Sequence, residues 1–130
     1  MKNLILLLAL SFVTLNCSKD DNNQKNNIPP ELIGKWKAIE IYSTDGGSEP
    51  TWSNIVNGFS YTFSNDNIVI RDNLQTGCNE GKFSLKNENT ILFVFPCISY
   101  ESFIENNTNT LLILDTKNFE PLKYKFQKIN

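Results

Sequence analysis

The chain has 130 residues, a formal charge of −2, no histidine and a single arginine, Arg71. Without a basic run interleaved with aromatics it lacks the electrostatic footprint of a nucleic-acid binder. Lacking histidine, it has neither the usual general base near neutral pH nor the commonest zinc ligand, so the reading is of a non-enzymatic protein that needs no metal or other cofactor.

Met1-Lys2-Asn3 leads into LILLLALSFVTL, Leu4 to Leu15, which is apolar apart from Ser11 and Thr14. A spanning helix needs about twenty apolar residues. A dozen, bounded at once by Lys19, Asp20 and Asp21, is the pattern of a secretory signal, residues 1–16, that is removed. Three cysteines leave one over in an exported protein that pairs its thiols, and Cys17 is the odd one. Its place directly after the apolar run resembles the lipobox of bacterial lipoproteins, with Asn16 where that pattern has a small residue and Thr14 where it has an aliphatic one. The resemblance implies a diacylglycerol on the Cys17 sulfur, a mature N-terminus at Cys17 and a further acyl chain such as palmitate on its amine. Two or three chains anchor stably where one is marginal. The alternative is a free thiol after a conventional cut.

SKDDNNQKNNIPP, Ser18 to Pro30, holds almost nothing that can be buried, so residues 17–30 read as the lipidated cysteine and a flexible polar tether. Its Lys-Asp-Asp resembles the acidic signal of Bacteroidetes lipoproteins that directs transfer to the outer leaflet of the outer membrane. That resemblance implies a lipid-anchored outer-membrane protein, exposed at the cell surface.

Residues 31–130 form the domain. From Gly34 the apolar residues recur with period two between closely spaced turns, the pattern of antiparallel strands. GKWKAIEIY comes first. After the Gly- and Pro-bearing stretch from Ser43 to Gly58, FSYTFS sets Phe59, Tyr61 and Phe63 on one face against Ser60, Thr62 and Ser64 on the other. SNDN turns the chain into IVIRD, and GKFSLK, TILFVFP, ISYESFI, TLLILDT and LKYKFQKI follow. Eight strands in about a hundred residues predict an all-β, eight-stranded antiparallel up-and-down barrel, with a β-sandwich as the alternative.

Leu32-Ile33-Gly34-Lys35-Trp36 resembles the Gly-x-Trp signature of lipocalins, in which a short turn enters the first strand and the tryptophan plugs the closed end. The resemblance assigns the barrel-closing role to Gly34 and Trp36. The last strand has no arginine to lay over the tryptophan, and Lys125 or Lys128 is the substitute. With its cysteine, tether and GKW, the chain looks most like the small lipocalin-like lipoproteins of the Bacteroidetes.

Cys78 is placed at the opening of the fourth strand and Cys97 at the close of the fifth. A hairpin folded about Asn87-Glu88 sets them opposite one another, and one centred on Glu88 offsets them by a residue, to be repaired by a bulge near Pro96. A disulfide across them, in an oxidising compartment, is a staple. In the barrel, Phe59, Tyr61, Phe63, Tyr124 and Phe126 face inward and are the candidate lining for a small apolar ligand, the bland alternative being a packed core. Glu40 shares its parity with Trp36, and a bend in the first strand would turn it outward. Asn65, Asp66 and Asn67 read as a turn rather than a calcium loop. Two functions fit: a monomeric carrier or sensor of a small hydrophobic molecule, held to the membrane by its lipid, or a surface-displayed module that contacts protein or glycan through loops such as Thr44 to Gly58 with Trp52.

Overall fold

The computed structural model describes residues 28–116 and 120–130; the expected signal, Cys17 and residues 18–27 of the expected tether lie outside them. A three-residue 3-10 turn, Pro30–Leu32, starts on its proline, whose fixed φ suits a first helical position and whose missing N–H would have had no partner. Nine strand segments follow: β1 Gly34–Ser43, β2 Thr51–Asn54, β3 Ser60–Phe63, β4 Ile68–Arg71, β5 Glu80–Asn87, β6 Thr90–Val94, β7 Ser99–Asn107, β8 Leu111–Thr116 and β9 Leu122–Ile129. All pairings are antiparallel. From β3 onward each strand pairs with the next, and β1 pairs with β9, so the sheet closes on itself and leaves no long free edge.

The ninth segment leaves the expected count of eight strands unchanged. β3 pairs with Gly34–Lys37 of β1, and β2 pairs with Glu40–Ser43 on the same edge of the same strand. The two are halves of one stave interrupted by residues 55–59, so the barrel is eight-stranded. The stretch from Thr44 to Gly58 is therefore not one loop, because Trp52 sits on a strand, opposite Tyr42. At the interruption Ala38 N–H donates to the Phe59 carbonyl at 2.8 Å and Ile55 N–H to the Ile39 carbonyl at 2.8 Å. A Cβ on Gly58 would stand 2.0 Å from the Ala38 carbonyl oxygen, and so only glycine allows the chain to cross there.

Against β9, the register of β1 shifts between Ala38 and Glu40. Trp36 and Ala38 are buried inside, and past the shift Ile41 faces Tyr124 while Glu40 pairs with Lys125. This bulge is the bend that turns Glu40 outward, where its carboxylate makes an ion pair with Lys125.

The β5–β6 register also needs correction. Lys82 faces Val94, Phe83 faces Phe93 and Leu85 faces Ile91, which is the hairpin centred on Glu88, not the one about Asn87-Glu88. Neither cysteine lies in a strand. Cys78 is in the β4–β5 loop and Cys97 in the β6–β7 turn, which Phe95 and Ile98 close with reciprocal backbone bonds of 2.8 and 3.3 Å. Beyond the strand ends the period-two alternation no longer applies. The cysteines are bonded with Cα atoms 5.6 Å apart, a spacing that bridge geometry accepts.

Candidate functional site

The closed end is built by the first turn, the start of β1 and the end of β9. Trp36 is fully buried, and its indole N–H donates to the Leu32 carbonyl at 2.8 Å. Lys128, on β9, places its ammonium 5.0 Å from the centre of the Trp36 ring and donates to the Glu31 carbonyl at 2.9 Å. Lys128 is thus the cation over the tryptophan. Lys125 instead lies on the outer face, 4.5 Å over Trp52. Gly34 adopts φ +126, and a Cβ there would meet the Lys128 stem at 2.7 Å. Both expected barrel-closing residues therefore sit at the closed end.

Above this plug the interior is filled by rings. Phe63 packs edge-on against Phe83 at 5.0 Å between centroids, and Tyr61 stacks on Phe93 at 5.2 Å and lies 5.4 Å from Phe126. Three of the five expected lining residues, Tyr61, Phe63 and Phe126, are at most 3% exposed. They pack against one another as core, and each fully buried ring contributes on the order of 2–3 kcal/mol.

The other two, Phe59 and Tyr124, are half-buried at the opposite end. Phe59 meets Tyr124, Tyr61 and Phe126 edge-on at 5.2, 5.5 and 5.5 Å. Ile55 and Ile104 are likewise partly buried against the core. The structure thus brings all five candidate rings into one continuous cluster, of which Phe59 and Tyr124 are the part within solvent reach.

Two residues that the sequence reading passed over complete this end. Arg71 faces Tyr61 across the β3–β4 pair, and its guanidinium carbon is 4.3 Å from the centre of the Phe59 ring and 5.7 Å from that of Tyr61. Its Nε–H donates to Asn73 Oδ1 at 3.0 Å and its Nη1–H to the Tyr100 hydroxyl at 3.2 Å. The Tyr100 and Tyr61 hydroxyls share a bond of 2.5 Å. Burial pushes the Tyr61 phenol well above its ordinary value, with Tyr100 adding to the effect and Arg71 opposing it. Tyr61 therefore stays protonated near neutral pH. The β3–β4 turn centred on Asp66 carries the signal for Arg71, since folding there sets Tyr61 opposite it.

A solved lipocalin-like protein from Bacteroides uniformis superposes with a TM-score of 0.57 over 76% of this chain and 99% of that one, at 19% sequence identity. The fold is lipocalin-like. At that identity the likeness carries the architecture and no more. No family model matches the sequence, and no curated protein does.

Around the lipocalin-like barrel, the outer face carries a smaller aromatic group. Trp52 is 39% exposed and lies 5.3 Å from Tyr42, with Lys125 over Trp52 and Lys123 5.7 Å over Tyr42. Lys123 also pairs with Glu105. On the rim, the disulfide ties the β4–β5 loop to the β6–β7 turn, next to the Phe95 and Tyr100 rings, which are 6.2 Å apart.

Proposed function

We propose that this is an exported, lipid-anchored binding protein whose lipocalin-like barrel takes one small apolar ligand at its open end. The observation that carries the reading is the division of the aromatic cluster. Its lower part is closed off by Trp36 and packed solid, while Phe59 and Tyr124, with Ile55 and Ile104 beside them, present apolar surface at the mouth. Eight-stranded barrels are just wide enough either to be filled by side chains or to admit one small molecule at the mouth. The ligand is therefore shallow, resting on the filled core.

The placement at the membrane rests on the sequence: an apolar signal of a dozen residues, Cys17 directly after it, and a polar tether. Acylation of Cys17 would hold the barrel at an outer-membrane surface, as a monomer. The test for the ligand is mass spectrometry of lipids extracted from the natively produced, folded protein. A stoichiometric apolar molecule, reduced by Phe59→Ala, supports the reading, and a wild type free of bound lipid counts against it. The test for the anchor is detergent partitioning with intact mass. Wild type should enter the detergent phase and Cys17→Ser the water; equal partitioning of the two into water contradicts the lipoprotein reading.

A second reading is favoured by the pair Tyr42 and Trp52. Their rings form an exposed aromatic surface on the outer face, suited to contact with a glycan or protein. Loss of adhesion on Trp52→Ala, with mouth binding intact, would select it.

A further inference from the structure

The open end holds the chain's only arginine among aromatic rings, and its hydrogen bonds do not balance. A guanidinium carries five N–H donors and no acceptor. The contacts described above use two, at Asn73 Oδ1 and at the Tyr100 hydroxyl. Tyr61 and Tyr100 bring two hydroxyl protons, and the single bond between them consumes one, whichever of the two donates it. The other phenol proton faces no protein acceptor among the described residues. No carboxylate among them pairs with Arg71 either. Their ion pairs join Lys86 to Glu101, Lys123 to Glu105 and Lys125 to Glu40, and the nearby Asp72 carboxylate is taken by the N–H and hydroxyl of Ser60. A half-buried cation held against aromatic rings, with donors to spare, suits an anion with surplus acceptors.

We infer that the mouth of the barrel selects a ligand bearing a carboxylate, with Arg71 and the Tyr61–Tyr100 hydroxyl pair holding the charged group and Phe59 and Tyr124 the apolar body. This deepens the ligand-binding reading above and rests on it. A carboxylate offers about four lone-pair sites in one plane and a single negative charge, which matches the planar fork of one guanidinium and one phenol donor. A phosphate monoester carries up to twice that charge and would want a second cation. Among the described residues, the lysines of β9 do not supply one. Lys123 and Lys125 lie over Tyr42 and Trp52 on the outer face, and Lys128 lies over Trp36 at the closed end. Phe59 against the guanidinium keeps it partly desolvated, which strengthens its attraction for an anion. Protonated Tyr61 remains a donor throughout the physiological range.

The test is calorimetric titration of the full-length protein with dodecanoate, dodecanol and dodecyl phosphate, whose chains are identical. Dodecanoate should bind roughly 10- to 100-fold tighter than dodecanol, the range expected of charge-assisted hydrogen bonds. Dodecyl phosphate should bind no tighter than dodecanoate. Arg71→Met should bring the ratio of dodecanoate to dodecanol affinity near one, and Tyr100→Phe should lower it. Because either variant can fail to fold, the wild type is also titrated against pH. Its preference for dodecanoate should vanish as the ligand's carboxyl protonates, at about pH 4 to 5, while dodecanol affinity stays level. Equal affinity for the acid and the alcohol at neutral pH, a pH-independent preference, or a tighter dodecyl phosphate would overturn the inference and leave the apolar-ligand reading standing. Binding of none of the three would remove that reading itself.

Discussion

At the scale of the residue, the closed end depends on positions whose replacement can be forecast from backbone geometry. Gly34 holds φ +126 and abuts the Lys128 stem. The stem can swing aside, but an L side chain at that φ remains strained, so Gly34→Ala should cost about 1–3 kcal/mol in urea unfolding. Gly47→Ala, where nothing lies within 4 Å of the added carbon and φ is ordinary, should stay within about 0.5 kcal/mol of wild type. Asp72 provides a pH-dependent case. Burial works against its charge, but the hydroxyl and N–H of Ser60 outweigh it and hold the carboxyl below its usual range. A lowered folded pKa stabilises the protein fully above the unfolded value of about 3.9, and that contribution is lost as the pH falls through the folded value. Asp72→Asn should therefore destabilise at pH 7 by at most about 1 kcal/mol, given the exposure of the group, and the difference in unfolding midpoint should close in acid. Gly34 and Trp36 were legible because three consecutive residues carry their signature. The cation over Trp36 was legible only as a choice between Lys125 and Lys128, and Arg71 was not singled out. IVI in β4 puts aliphatics on both faces, so alternation could not say that Val69 and Arg71 point inward while Ile70, 40% exposed, points out.

At the scale of the element, all eight staves could be read from alternation, and the one segment that was missed, β2, shows the limit of that signal. TWSN is short, exposed along its whole length and lies among Gly and Pro residues, so no buried face marks it as a strand. It is held by backbone pairing to β1 and by the Tyr42–Trp52 contact. The same limit explains the β5–β6 hairpin. Its turn lies a residue later than expected, with Asn87 opposite Thr90, and a bulge between Leu85 and Asn87 that absorbs Lys86 brings the rest of the hairpin back to a centre on Glu88, which nothing in NEN announces. The disulfide survived the shift because both cysteines lie in turns. It closes a loop of nineteen positions, for which the chain-entropy treatment gives about 3 kcal/mol. Reduction, or the change of both cysteines to Ser, should lower the thermal midpoint by several degrees and keep the β-rich circular dichroism spectrum. A non-reducing peptide map checks the pairing itself, and two alkylatable thiols in the native protein would contradict it.

At the scale of the whole molecule, the barrel is a packed body with one plugged end and one aromatic mouth, and the sequence before it is proposed to serve export and attachment. Ile28 packs against the core, so a chain beginning at Ile28 should fold with the same spectrum and midpoint as the full-length protein. The overall architecture was legible because the core-facing residues alternate almost without a break. Which end was open was not, since that depends on where the rings stop, and Phe59 and Phe63 look alike in sequence. The central claim is that the mouth takes up a small apolar molecule. Titration with neutral N-phenylnaphthylamine, followed by its own fluorescence, tests this most directly, since Trp36 lies at the far end and is a poor reporter. The account predicts saturable, one-to-one uptake that dodecanol competes for and that Phe59→Ala weakens about tenfold, as loss of a large apolar contact would. Uptake that never saturates, or that Phe59→Ala leaves unchanged, would contradict it.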